Sequence, residues 1–226
     1  MAMVKETILQ IAEERSSVLI SQNPLTAGGV EGIVAHLWRV QAWLAYVYIS
    51  LFDGSVRLRA SAEQQLPTLR LWVIWMWEAV RRYLGEDELL DYRPSQWIAR
   101  EFESEYNASL KLWKLWILTE SVRRTHLVVN TIANIYETMA KGWVGCTGAG
   151  MLTARRGLWE AESAMKWSEL LTAKPLLLVP SLDPVPLISQ YVAEDLDDFV
   201  KVFWKMVIGS DKMQSWTAMS NRASRT

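Results

Sequence analysis

Apolar residues at Val4, Ile8, Ile11, Ala12, Val18 and Leu19 recur at helical spacing, so residues 4 to 20 read as a first helix. Asn23-Pro24 and Gly28-Gly29 mark the loop behind it. From Val30 to Phe52 the helical period persists, but apolar side chains take most of the circumference, interrupted mainly by Glu31, His36, Arg39 and Gln41. A helix of that kind is mostly buried. Asp53-Gly54 ends it, and Ser55 to Tyr83 forms a second run, with a break or kink predicted near Pro67 because the ring removes a backbone donor. The two runs predict a helix pair.

A short acidic piece, GEDELLDYRP, leads to Ser95, which suits the N-cap of a helix through about Tyr106. The longest helical stretch follows, Ala108 to Lys141. WVGCTGAGM then places three glycines between Trp143 and Met151 and predicts a loop. Residues 154 to 171 read as helix again. AKPLLLVPSLDPVP, with its four prolines, predicts an extended or irregular surface crossing. Pro186 suits the first turn of a last helix to about Ile208, amphipathic through Ile188, Val192, Leu196, Phe199, Phe203 and Met206. Its acids Glu194, Asp195, Asp197 and Asp198 would lie in the N-terminal half, where the helix dipole favours them as a solvated cluster. No repeat and no convincing strand is found. The expectation is an all-α fold, a single helical domain over 1–208 with a loose polar tail at 209–226.

Composition narrows the function classes. The chain has 226 residues, 25.9 kDa, 50% hydrophobic residues and a formal charge of -1, which points neither to disorder nor to polyanion binding. The longest charge-free apolar run, Val40 to Phe52, gives about 20 Å of helix against a bilayer core of about 30 Å, so no membrane span is expected. Glu6, Glu13 and Glu14 occupy the opening segment where a secretory signal needs an uninterrupted apolar stretch, which predicts an intracellular protein of cytoplasm or nucleus. The single cysteine, Cys146, excludes an intrachain disulfide, a zinc cluster and an all-thiolate iron–sulfur site. No metal and no cofactor is expected. Nucleophile-elbow, zinc-protease, phosphate-loop and EF-hand motifs are all missing. Gly145, Gly148 and Gly150 lack the preceding strand that a dinucleotide site requires and read as a flexible turn.

Tryptophan supplies 13 of the aromatic residues and phenylalanine only 4. Trp38, Trp43, Trp72, Trp75, Trp77, Trp113 and Trp116 sit in helical runs and suit a core. Trp143 and Trp159 flank the glycine loop and suit a pocket rim. Within the long helix, Arg123, His126, Asn130, Asn134 and Glu137 step by three, four, four and three residues and share one face. This reads either as a polar seam between helices or as the wall of a ligand cavity. In the second reading His126 is the one group there able to exchange a proton near neutral pH.

Three segments, LWRVQAWLAYVYISLFDGSVRLRASAEQQLPTLRLW (37–72), LTESVRRTHLVVNTIANIYETMAKGW (118–143) and TARRGLWEAESAMKW (153–167), resemble the C-terminal regulatory domain of fungal zinc-cluster and zinc-finger transcription factors, particularly those associated with secondary metabolism. Their order and spacing extend the resemblance over roughly residues 31–208. It implies an all-helical domain that senses small molecules and controls activation. Regulators of that family carry their zinc-bound DNA-binding element upstream, and one cysteine with a near-neutral charge leaves no route to direct DNA binding here. Arg123, Arg124, Arg155 and Arg156 match the family motifs and are expected in buried or interface ion pairs, with Glu120 and Glu160 as partners.

The first reading is therefore a free-standing cofactor-free cyclase or isomerase acting on an apolar fungal metabolite by orientation and hydrogen bonding. His126 and Arg123 would be its catalytic groups, and Trp116, Asn130, Asn134, Trp143 and Trp159 its substrate-binding residues. The alternative is a ligand-responsive transcriptional regulator acting through a DNA-binding partner. A truncated relic without activity is the third reading. A homo-oligomer or another protein partner stays open.

Overall fold

The computed structural model describes residues 2–22, 25–84, 102–143, 145, 150–174, 176–180, 184, 188 and 190–223. Among these the helices are α1 (Ala2–Ser21), α2 (Gly29–Phe52), α3 (Val56–Leu84), α4 (Phe102–Lys141), α5 (Ala164–Ala173), α6 (Asp198–Ile208) and α7 (Ser210–Ala223). Two three-residue strands, β1 (Met151–Thr153) and β2 (Leu178–Pro180), pair antiparallel with Leu152 opposite Val179. The all-α expectation holds. The acidic piece, the Ser95 cap, Cys146, Gly148 and Pro186 lie outside the described residues. The chain divides into two compact units, Met1–Asp91 with Arg124–Gly148, and Tyr92–Arg123 with Ala149–Thr226.

In the first unit, Ile33, Leu37, Val40, Trp43, Val47 and Leu51 line one face of α2 and are buried. They step by three or four residues and pack against Leu58, Ala62, Leu66, Leu69, Trp72, Met76 and Val80 of α3, the spacing that puts a single apolar stripe on each helix. Gly54, at φ +99°, makes the sharp turn between them where other residues would be strained. Pro67 does not break α3, which runs through it with Leu66 and Leu69 buried on either side. Tertiary packing outweighs the one lost backbone bond.

Trp43 is wholly buried, its ring centroid 4.1 Å from that of Trp72. Its indole N–H donates to Ser16 Oγ and Gln65 Oε1, each at 3.0 Å, which joins α1, α2 and α3 through one donor. Arg39 lies 3.8 Å over the Trp72 ring and donates to the carbonyls of Leu19 and Gln22, holding the end of α1. Trp38, by contrast, is 68% exposed and takes no part in this core.

In the second unit three elements depart from the sequence expectation. Residues 154–163 are not helical: Gly157 turns at φ +88° and α5 begins only at Ala164, where Ser163 Oγ accepts from the Lys166 N–H. The last long helix also starts late, because Asp197 caps α6 by accepting from the Phe199 N–H. Its neighbour Asp195 is therefore not a solvated helix acid but an ion-pair partner of Arg155 at 3.2 Å and Lys174 at 2.8 Å. Finally, residues 210–223 form a packed helix. Met213 and Trp216 bury their side chains there, and the Trp216 indole N–H donates to the Ile188 carbonyl at 2.8 Å.

Candidate functional site

His126, Asn130, Asn134 and Trp143 belong to the first unit, and Arg123, Trp116 and Trp159 to the second. The strongest constellation in the first unit centres on His126, half-buried on α4. Trp77 of α3 donates its indole N–H to His126 Nδ1 at 3.0 Å, with the two rings edge-on at 6.0 Å. The Asn130 side-chain amide lies 2.8 Å from His126 Nε2. An indole nitrogen can only donate, so Nδ1 accepts and the proton of a neutral imidazole resides on Nε2. The Asn130 amide nitrogen stands at 2.8 Å from Nε2, and turning that amide by 180° about its last torsion presents Oδ1 as the acceptor this proton requires. Both ring nitrogens thus have partners, and proton exchange with a substrate requires breaking one of those bonds.

Three turns beyond His126 along α4, Glu137 receives both terminal nitrogens of Arg70 at 3.2 and 3.1 Å, a forked ion pair between α3 and α4. Tyr136 donates to Glu63 on the same side. The first-unit part of the polar line, His126 to Glu137, therefore carries bonds between helices. Asn134 is half-buried on this helix and Trp143 is 77% exposed. Beside the line lies an open groove of about 420 Å³ between α2 and α4, lined by Leu44, Tyr48, Arg124, Val128 and Ile132 and crossed by the Gln41 to Thr125 hydrogen bond at 3.0 Å.

In the second unit Arg123 donates to Glu120 Oε2 at 3.2 Å, as the sequence expectation paired them. Glu120 is fully buried and also accepts the Thr153 backbone N–H and the Thr153 hydroxyl, each at 3.0 Å. One carboxylate thereby anchors α4 to β1. Arg155 joins Asp195, an acid outside the expected partners, and Glu160 accepts the Gly157 backbone N–H. Trp116 packs with Leu158, Trp167 and Leu171, and the exposed edge of that cluster is Trp159, 6.2 Å edge-on from Trp116. Sequence reasoning named Glu120 only as an ion-pair partner, Trp77 only as a core residue and Asp195 only as a solvated acid, and missed Arg70. A lone acid in the apolar part of a long helix was the available signal for the first. Contacts across tens of residues give none for the others.

Both histidines are held below their ordinary value of 6.5: His126 by burial, and His36 by burial first and then by the Arg82 and Arg39 cations, against the opposing pull of Glu78. A depressed histidine favours the neutral form in the folded protein, so the unfolded chain binds the extra protons. Stability is therefore full above about pH 6.5 and declines as the pH falls below that value. Melting temperature measured between about pH 7.5 and 5.5 should drop toward the acid end, and His126→Gln should flatten the slope. An unchanged melting temperature across that range would show that neither imidazole needs its neutral form.

Among the described residues no three His, Cys, Asp or Glu side chains come together to hold a metal ion, and no helix is long and apolar enough to cross a membrane. No family model matches the chain, and no solved structure matches it. The sequence is 26% identical over 211 residues to the transcription factor gsfR2 of Penicillium aethiopicum, an alignment that takes in 93% of this chain and 48% of that protein. The chain spans about half the length of the curated relative it matches.

Proposed function

We propose that this chain is a regulator of transcription, built on the helical regulatory region that fungal transcription factors carry and acting through a DNA-binding partner. The observation that carries the reading is the similarity to a transcription factor over 93% of the chain, which takes in all three segments that resemble the regulatory domain. That similarity favours the regulator over the cyclase that the sequence analysis placed first. The geometry around His126 points the same way: its ring nitrogens are engaged by Trp77 and Asn130 in bonds between and along helices. Arg123, the other group assigned to catalysis, is committed to a buried carboxylate. Polar networks of this kind specify how helices pack. An apolar metabolite is a candidate effector, for which the second unit offers the exposed edge of Trp159 against Trp116 and the first unit, separately, Trp143 and Asn134.

The test compares transcripts from a strain lacking the gene with those of the same strain carrying it again, alongside affinity purification of the tagged full chain. The regulator predicts a discrete set of transcripts that collapses and recovers, and co-purification of a DNA-binding protein. Unchanged transcripts, together with conversion of an extract component to an isomer of equal mass by purified protein without cofactor, would restore the cyclase.

A further inference from the structure

α1 carries two stripes. Leu9, Ala12, Ser16 and Leu19 turn toward the core of the first unit, where Ala12 and Ser16 are buried. Beside them runs a second stripe, Val4, Ile8, Ile11, Arg15 and Val18, spaced four, three, four and three, the seam pattern of a two-helix coiled coil. It is uncovered: Val4, Ile8, Ile11 and Val18 are 64, 51, 49 and 52% exposed. Its first turns edge an open groove of about 420 Å³ completed by Leu9, Ile49 and Asp53. Arg15 interrupts the stripe and makes no ion pair among the described residues, while Glu14 beside it uses one oxygen to accept from Gln10 at 2.9 Å.

We infer that this stripe binds a second copy of the chain, with the two α1 helices antiparallel about a two-fold axis. A two-fold interface must be complementary to itself. The adjacent pair Glu14-Arg15 meets that condition in an antiparallel register that sets Ile8 against Val18 of the second copy and Ile11 against the methylene stem of its Arg15. Each guanidinium then reaches Glu14 of the other copy, and the pair forms twice. A parallel arrangement would instead stack the two Arg15 cations in one layer, which charge repulsion opposes. The stripe from Val4 to Val18 runs about 21 Å along the helix, which places the interface at the small end of specific ones, and weak association is expected.

The experiment measures the mass of the full chain in solution by light scattering and sedimentation, over about 1 to 100 µM. The wild type should shift with concentration from 25.9 kDa toward twice that mass. Glu14→Arg and Arg15→Glu each place like charges opposite one another and should weaken self-association at least tenfold. An equimolar mixture of the two should restore the dimer, because the altered charges complement each other. Both positions are exposed, and matching circular dichroism and melting temperature verify folding. A wild type that stays monomeric throughout, a dimer indifferent to both charge variants, or a monomer whose stripe binds phosphatidylcholine–phosphatidylserine vesicles instead would each overturn the inference.

Discussion

Glu120→Ala is expected to lower the unfolding free energy by about 3–5 kcal/mol, the range for removing one partner of a buried ion pair. The carboxylate is fully buried and accepts from the Arg123 guanidinium, the Thr153 hydroxyl and the Thr153 backbone N–H. Alanine leaves a guanidinium half-buried and a strand N–H without its acceptor, and an orphaned buried donor costs about 1–3 kcal/mol by itself. Glu120→Gln keeps one carbonyl oxygen for Thr153 and should cost less than the alanine change. Urea unfolding followed by circular dichroism separates the cases. A midpoint for Glu120→Ala within error of the wild type would mean that Thr153 finds another acceptor and that the anchor between α4 and β1 is not energetically significant.

Trp43→Ala should be as damaging, by about 3–5 kcal/mol, since it removes the largest fully buried side chain of the first unit and opens a cavity against Trp72. The comparison with Trp43→Phe divides the effect. Phenylalanine retains most of the apolar volume but loses the indole donor, while the Ser16 to Gln65 hydrogen bond at 2.9 Å remains possible without it. The cost should then fall to about 1–2 kcal/mol, near that of one lost hydrogen bond with modest repacking. Equal losses for the two substitutions would show that the indole N–H, rather than ring volume, holds α1 to the helix pair.

The helix pair was legible because its signals are local. The apolar stripe of α2 persists over six turns and stops at Phe52, where Asp53-Gly54 interrupts it, and α3 keeps its spacing on both sides of Pro67. The second unit was read less well, for a physical reason that each error shares. The start of α5 depends on the Gly157 turn and the Ser163 cap, two residues inside a segment whose apolar spacing alone looks helical. β1 and β2 are three residues long and held by a partner 25 or more residues away, too short for alternation to register. The segment containing α7 has few apolar residues, yet Met213 and Trp216, three apart, suffice to bury one side of it. At the candidate site, the face shared by His126, Asn130 and Glu137 followed from spacing. What that face bonds to depends on Trp77 and Arg70, which only the fold brings near.

Each compact unit is assembled from two stretches separated along the chain. This imposes an order on biosynthesis. When residue 84 leaves the ribosome, α1, α2 and α3 are available, but Glu137 and Tyr136, the partners of Arg70 and Glu63, have not been made. The first unit therefore completes only after the last turns of α4 emerge. The second unit must wait for α6 and α7, because Trp204 and Trp216, 6.3 Å apart by ring centroid, close its second aromatic cluster. The first unit can therefore close once α4 is out while the second still lacks α6 and α7, so the two mature one after the other, each open to chaperone capture until its second stretch arrives.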